Sequence, residues 1–274
     1  MPRHPRPKTV RQRPHFRPRG DGPAAGLPAD RVLLYGYHAA AAALANPRRV
    51  IHRVQLTEGA ANRLATAVSA RDLEPDLVEP RDLDRRLGAE AVHQGILIEA
   101  ALLPEPDLEA LCAPAATGLA TVLLVLDQVT DPHNVGALLR SCAVFGVAGL
   151  IMTRQHSPPL SGALAKAASG ALEHVPVALV TNRARGLEEL AERGVVSIGL
   201  DGEAPNPLEQ QAANGPVALV LGAEGKGLRR LTRENCDALC RISSFGALTS
   251  LNVSNAGAVA LHALRIRRRR EDGP

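Results

Sequence analysis

Unbroken apolar runs beyond residue 120 constrain the fold of this 274-residue chain more than any other feature. Val122–Leu126 and Val217–Leu221 contain no polar position. A strand with one face in water alternates apolar and polar residues. A strand without alternation has both faces covered, as in a parallel sheet flanked by helices. Gly149 to Thr153, Val175 to Leu179, Val195 to Leu200 and Ala238 to Ile242 read as further buried strands. Helical stretches lie between them at Val135 to Phe145, Ala163 to Ser169 and Leu187 to Arg193, and a long one from Val253 to Arg268 closes the chain. This alternation predicts an α/β domain over 119–270 with a mostly parallel sheet.

A smaller unit precedes it over 31–100. Tyr35 to His38 opens an Ala-rich helix that stops near Asn46 and Pro47. Val50 to Leu56 alternates like a strand, Ala60 to Ala70 is helical, and Gly95 to Ala100 is a strand, giving the order α-β-α-β. Residues 101–118, with Pro104, Pro106 and Pro114 among acids and alanines, read as a linker. Residues 1–30 read as a basic, disordered tail. Its Arg-rich, acid-poor composition resembles a transit peptide, but Pro2, Pro5, Pro7, Pro14 and Pro18 forbid the amphipathic helix such a peptide needs. With no apolar signal segment, the expected location is the cytoplasm.

The net charge of +4 hides an asymmetry. The first 19 residues carry seven Arg or Lys and no acid, and Arg265 to Arg270 adds five Arg, while the body between holds 20 basic and 26 acidic residues. Basic arms of this kind commonly meet phosphate backbones, and they are compatible with an RNA or DNA partner. Three Phe, two Tyr and no Trp exclude a binding mode built on rows of stacking aromatics. No apolar run is long enough to cross a membrane. The four cysteines, Cys112, Cys142, Cys236 and Cys240, show no zinc-like spacing and read as free thiols; no metal site is expected. Cys236 and Cys240 stand four apart, as on one helix face.

Three segments follow apolar runs, where a parallel sheet builds its ligand site. Asp131 to Asn134 reads as a tight turn and helix start, with Arg140 further along the helix. An Arg among Val, Ala and Leu suits a phosphate clamp. Gly222 to Gly227 is a glycine-rich loop that matches neither the phosphate-loop nor the dinucleotide spacing, and Glu224 places a carboxylate within it. Ser250 to Asn255 opens the last helix with more polar residues than one cap needs.

Together these segments resemble the signature motifs of the SpoU-type RNA 2′-O-ribose methyltransferases of the SPOUT superfamily. Asn134 to Arg140 reads NVGALLR, Leu221 to Leu228 reads LGAEGKGL, and Ser250 to Ser254 reads SLNVS. The smaller unit resembles the L30e-like RNA-binding module of one branch, through Gly36 to Leu44 and Val92 to Gly95. The resemblance implies a C-terminal α/β domain with a deep trefoil knot, S-adenosylmethionine as methyl donor, and a homodimer. It implies that Asn134, Arg140, Glu224, Ser250 and Asn252 carry the chemistry. Backbone at Gly222, Ile242 and Leu251 would hold the cofactor, and Leu200 would border its adenine. Ile242 to Phe245 reads ISSF where the family often has I-P-M, which bears on the shape of that loop.

The implied substrate is a guanosine ribose in 23S rRNA. A tRNA guanosine remains the alternative within the superfamily, with a resistance methylase or an inactive RNA-binding protein as further readings. An Arg with a pKa above about 12 is an awkward base. Arg140 is therefore expected to grip a phosphate and stabilise developing alkoxide, leaving the proton to phosphate, water or Glu224.

Overall fold

The computed structural model describes residues 27–113, 121–211, 215–247 and 250–271. Most of the basic tail, part of the linker and Leu248 and Thr249 lie outside them. The first unit runs β1 (Arg31–Tyr35), α1 (Tyr37–Ala45), β2 (Ile51–Leu56), α2 (Glu58–Ser69), β3 (Asp76–Leu77), α3 (Pro80–Leu87) and β4 (Ile96–Ala101). Its sheet has the order β1-β4-β2-β3. The expected α-β-α-β order missed β1, β3 and α3. Helix α3, PRDLDRRL, buries only Leu83, so it has almost no apolar periodicity. Its legible signal was the start: Pro80 at the first position and a reciprocal capping box between Glu79 and Asp82.

The linker is not structureless. It holds α4 (Leu108–Cys112), started by Asp107, whose carboxylate accepts from the Ala110 N–H at 2.7 Å. Leu108 and Leu111 are buried in the core of the second unit. Five residues are too few to show a helical period.

That unit continues with β5 (Val122–Asp127), α5 (Pro132–Phe145), β6 (Gly149–Thr153), α6 (Gly162–Ala167), a 3₁₀ turn (Ala171–Glu173), β7 (Val177–Val180) and α7 (Arg183–Glu192). Then come β8 (Val196–Leu200), β9 (Asn206–Pro207), β10 (Val217–Gly222), α8 (Arg230–Glu234), β11 (Ala238–Arg241) and α9 (Val253–Glu271). The seven-stranded sheet, β7-β6-β5-β10-β8-β11-β9, is parallel at every pairing. Its central strands are buried on both faces. Val122, Leu124 and Leu126 join one apolar cluster, while Leu123 and Val125 join the other. Cys240 lies in β11 and Cys236 before it, so the two do not share a helix.

Strand order reverses direction between β5 and β10, since β6 and β7 extend to one side and β8, β11 and β9 to the other. A crevice at the carboxyl ends of the strands is expected at such a point.

Helix α5 starts three residues before the expected Val135. Asp131 caps it, accepting from the His133 N–H at 2.9 Å, and Pro132 takes the first position. Asn134 is thus relieved of capping. At the far end, Arg265 of α9 donates to Phe145 O at 2.7 Å and also to Gly146 O, placing a cation at the carboxyl end of α5. Arg267 donates to Gln211 O at 2.7 Å. Two of the C-terminal arginines expected to meet phosphate therefore bind backbone of this chain.

Asp131→Ala should cost about 1 kcal/mol of stability, read as a lower urea midpoint at unchanged slope.

Candidate active site

The foundation of the site is Asp127, the last residue of β5 and fully buried. Its Oδ2 accepts from the Arg229 N–H at 3.1 Å. Its Oδ1 lies 3.1 Å from Arg183 Nε and 3.2 Å from Arg229 Nε. The Arg183 contact is one of charge to charge, because its N–H is not aimed at the oxygen. Arg183, itself buried, also donates to Thr153 Oγ1 at 3.4 Å. One carboxylate thus ties together the end of β5, the start of α7 and the exit of the glycine loop. No motif in the sequence marks any of these three residues. Asp127 showed only as an acid ending an apolar run, and Arg183 lay outside the expected helix.

The loop after β10 is held at both ends. Gly222 pairs with Asp127 across the sheet, and the Arg229 N–H binds the Asp127 side chain. Within it, the Gly227 N–H donates to Ala223 O at 2.8 Å. A Cβ on Gly222 would stand 2.1 Å from the carbonyl carbon of Gly227. Only glycine lets the loop fold this tightly onto its own strand.

Above this base three predicted residues converge. Asn252 Nδ2 donates to Asn134 Oδ1 at 3.1 Å and lies 3.4 Å from Glu224 Oε1, while Asn134 Nδ2 lies 3.4 Å from Glu224 Oε2. Asn252 also starts α9: its Oδ1 accepts from the Ser254 N–H at 2.9 Å and the Ser254 hydroxyl at 2.6 Å. The amide's oxygen is committed to the helix, which leaves its NH2 turned to the cluster. Glu224 is exposed, and the two amides are half-buried.

Leu200, Gly222 and Ile242 stand at or just after the carboxyl ends of β8, β10 and β11, three neighbours in the sheet. Leu200 and Ile242 are partly exposed and packed on the core. A glycine cradle flanked by two apolar side chains suits a flat heteroaromatic group with a polar tail. Leu251 is 51% exposed, just before α9. Ser250 is exposed beside it.

Arg140 is not part of this cluster. It is exposed on α5, and its side chain makes no hydrogen bond or ion pair among the described residues. His93 is structural, with Nε2 3.2 Å from Asp84 and Nδ1 accepting from the Gly95 N–H at 3.0 Å. Burial pushes the thiols of Cys142 and Cys236 up to about 12, which keeps both neutral; Asp237 and Asp127 add to the effect at Cys236.

Comparison with known proteins gives a coherent set. The family model described as SpoU rRNA Methylase family matches residues 121–262. A second, described as RNA 2′-O ribose methyltransferase substrate binding, matches residues 33–106. The chain is 40% identical over 235 residues to the 23S rRNA (guanosine-2′-O-)-methyltransferase RlmB of Pseudomonas putida, covering 83% of this chain and 93% of that protein. It is 42% identical over 236 residues to the protein of the same name from Yersinia pestis, covering 84% and 94%. Among solved structures, the SpoU methyltransferase AviRb from Streptomyces viridochromogenes, in complex with AdoMet, matches with a TM-score of 0.74 at 20% identity, over 88% of this chain and 91% of that one. The AdoMet-bound rRNA methyltransferase from Sinorhizobium meliloti matches with a TM-score of 0.69 at 19% identity, over 87% and 88%. At such identities the likeness is one of fold, and the fold is the SPOUT α/β class that the motifs implied.

Asp127→Asn would leave the Arg183 guanidinium buried without a countercharge. An expected loss of about 3–5 kcal/mol should appear as a large drop in the denaturation midpoint.

Proposed function

This chain belongs to the SpoU rRNA methylase family, and we infer from that premise that it methylates the ribose 2′-hydroxyl of a guanosine in 23S rRNA, using S-adenosylmethionine. The observation that carries the reading is the meeting of Asn134, Glu224 and Asn252 at the sheet's switch point, beside the cradle at Leu200, Gly222 and Ile242. The first unit takes the RNA, in keeping with its substrate-binding family model.

When bound, S-adenosylmethionine supplies a methyl group on a cationic sulfur. The chain's own task is to hold that group and the ribose in line and to manage one proton. Gly222 lets the loop close on its own strand; its backbone, with that of Ile242 and Leu251, is offered to the cofactor, and Leu200 borders the base. Asn252 and Asn134 orient Glu224 through their amides, leaving its carboxylate positioned to accept the hydroxyl proton. Ser250, exposed two residues before Asn252, belongs to the same proposed set. Arg140 grips the phosphate beside the target and stabilises negative charge forming on the ribose oxygen.

A homodimer belongs to the same reading. Arg140 lies on the outward side of α5 with Val144, which is 77% exposed, and on the adjoining α9 Val259 is 45% and Ile266 40% exposed. Exposed apolar side chains on two packed helices favour cover by a second copy. Such pairing takes Arg140 from open surface into a shared interface near the site. The enzyme acts in the cytoplasm, and no helix among the described residues is long and apolar enough to cross a membrane.

Ribose-methylation mapping of 23S rRNA from a strain lacking the protein should show one 2′-O-methylguanosine missing, restored by the wild-type chain. A complete methylation pattern in that strain would refute the assignment. Glu224→Gln should lower kcat by roughly 10²–10⁴-fold with cofactor affinity kept, and Arg140→Lys should largely abolish turnover in the same way. Val144→Asp with Val259→Asp should sediment as a monomer and lose activity; an active monomer would remove the dimer from the mechanism.

A further inference from the structure

The first unit meets the methyltransferase unit through a buried polar cluster. Arg49, just after α1, and Glu173, in the 3₁₀ turn after α6, each have side chains only 2% exposed. Arg49 Nη2 donates to Glu173 Oε1 at 2.5 Å, its Nε lies 3.1 Å from Oε2, and its Nη1 donates to Ala101 O at 2.7 Å. Asn46 Nδ2 donates to Glu173 Oε2 at 2.8 Å. Arg71 braces the segment from behind, donating to Asn46 O and Arg49 O, both at 2.7 Å. Arg49 and Glu173 are paired charge to charge, and Arg71 is held by backbone carbonyls.

Close backbone approach supports the same junction. A Cβ on Gly162 of α6 would stand 2.0 Å from Leu33 O of β1, and one on Gly170 would stand 2.7 Å from Cβ of Ala42. Lys166 Nζ donates to Val92 O at 2.5 Å. Apolar packing also spans the junction, since Leu34, Ala40 and Ala43 share one buried cluster with Leu164 and Ala168, but it does not fill it. A cleft of about 850 Å³ runs along the junction, lined by Arg31, Tyr35, Leu103, Leu160 and Val177, with Arg49 and Glu173 in its wall. Apolar contact tolerates sliding, whereas a forked guanidinium on a carboxylate accepts one geometry. Buried ion pairs add little net stability, and fixing one arrangement is their best-attested use.

We propose that Asn46, Arg49 and Glu173 lock the RNA-binding unit to the methyltransferase unit in one orientation, so that the pair acts as a rigid gauge selecting which ribose reaches the Asn134–Glu224–Asn252 cluster. These are positioning residues; they touch neither cofactor nor ribose. The proposal rests on the reaction assigned above for its consequence, but not for the lock itself.

The test uses the full chain. Arg49→Met with Glu173→Leu removes both charges together and strands neither, so the fold should survive. Spin labels go at Glu58→Cys on α2 and Glu188→Cys on α7, both exposed, with the half-buried Cys112 and Cys236 replaced by Ala. Labelled protein is diluted into unlabelled chain so that distances within one chain are read. With Arg49 and Glu173 intact, one narrow distance is expected. In the double variant the distribution should broaden, and kcat/KM on 23S rRNA should fall about 10- to 100-fold. Methyl groups should then appear on riboses near the target, while the Kd for S-adenosylmethionine stays unchanged. Should the double variant fail to fold, Arg49→Lys replaces it, since it keeps the charge and loses the fork. A broad distribution with the pair intact overturns the lock. A broadened variant that methylates the same ribose at the wild-type rate overturns the gauge. A narrow distance in a chain that methylates no RNA removes the assigned reaction and leaves the lock standing.

Discussion

A single carboxylate with no access to water underlies the reactive end of this molecule. Asp127 closes the central strand and faces two guanidiniums from segments far away in sequence, Arg183 buried with it and Arg229 half exposed. Burying a charge is costly unless it is paired, so Asp127 and Arg183 are held together by the penalty of separation. The glycine loop is anchored on this base at entry and exit. The polar residues above it need contribute little to stability. They stay open to solvent, Glu224 exposed and the two amides half-buried.

The loops gain their precision by sharing duties with helix starts. Asp131 caps α5 and so frees Asn134, while Asn252 caps α9 with its oxygen and joins the cluster with its nitrogen. Helix geometry then aims both amides. The same economy governs the C-terminal cations. Arg265 and Arg267 spend their donors on carbonyls at the ends of other elements. A basic run in a sequence is therefore not, by itself, a nucleic-acid footprint.

What could be read from the residues follows physical lines. The buried strands were legible because Val122–Leu126 and Val217–Leu221 lack alternation, and the motif letters named Asn134, Glu224 and Asn252 before any geometry was known. Periodicity failed where elements are too short or too polar to show it, as in β3, α3 and α4. It also could not show that Asp127 is dry, because burial of an acid depends on partners contributed by Arg183 and Arg229. The adjacency of Leu200, Gly222 and Ile242 came from sheet order, which sequence order does not reveal. The Arg49–Glu173 contact was invisible for the same reason, joining residues on either side of a linker.

Sheet order also has a consequence for biosynthesis. The strand that must lie between β5 and β8 is β10, pairing Val217 with Val122 about 95 residues further along the chain. At ribosomal rates of roughly 5–20 residues per second, β5 waits seconds for the neighbour that satisfies its edge. During that interval an apolar strand offers unpaired N–H and C=O groups to any other nascent chain. An architecture that closes its central seam late therefore depends on protection while half made, and its yield in a cell should respond to the supply of chaperones more than the stability of the finished fold suggests.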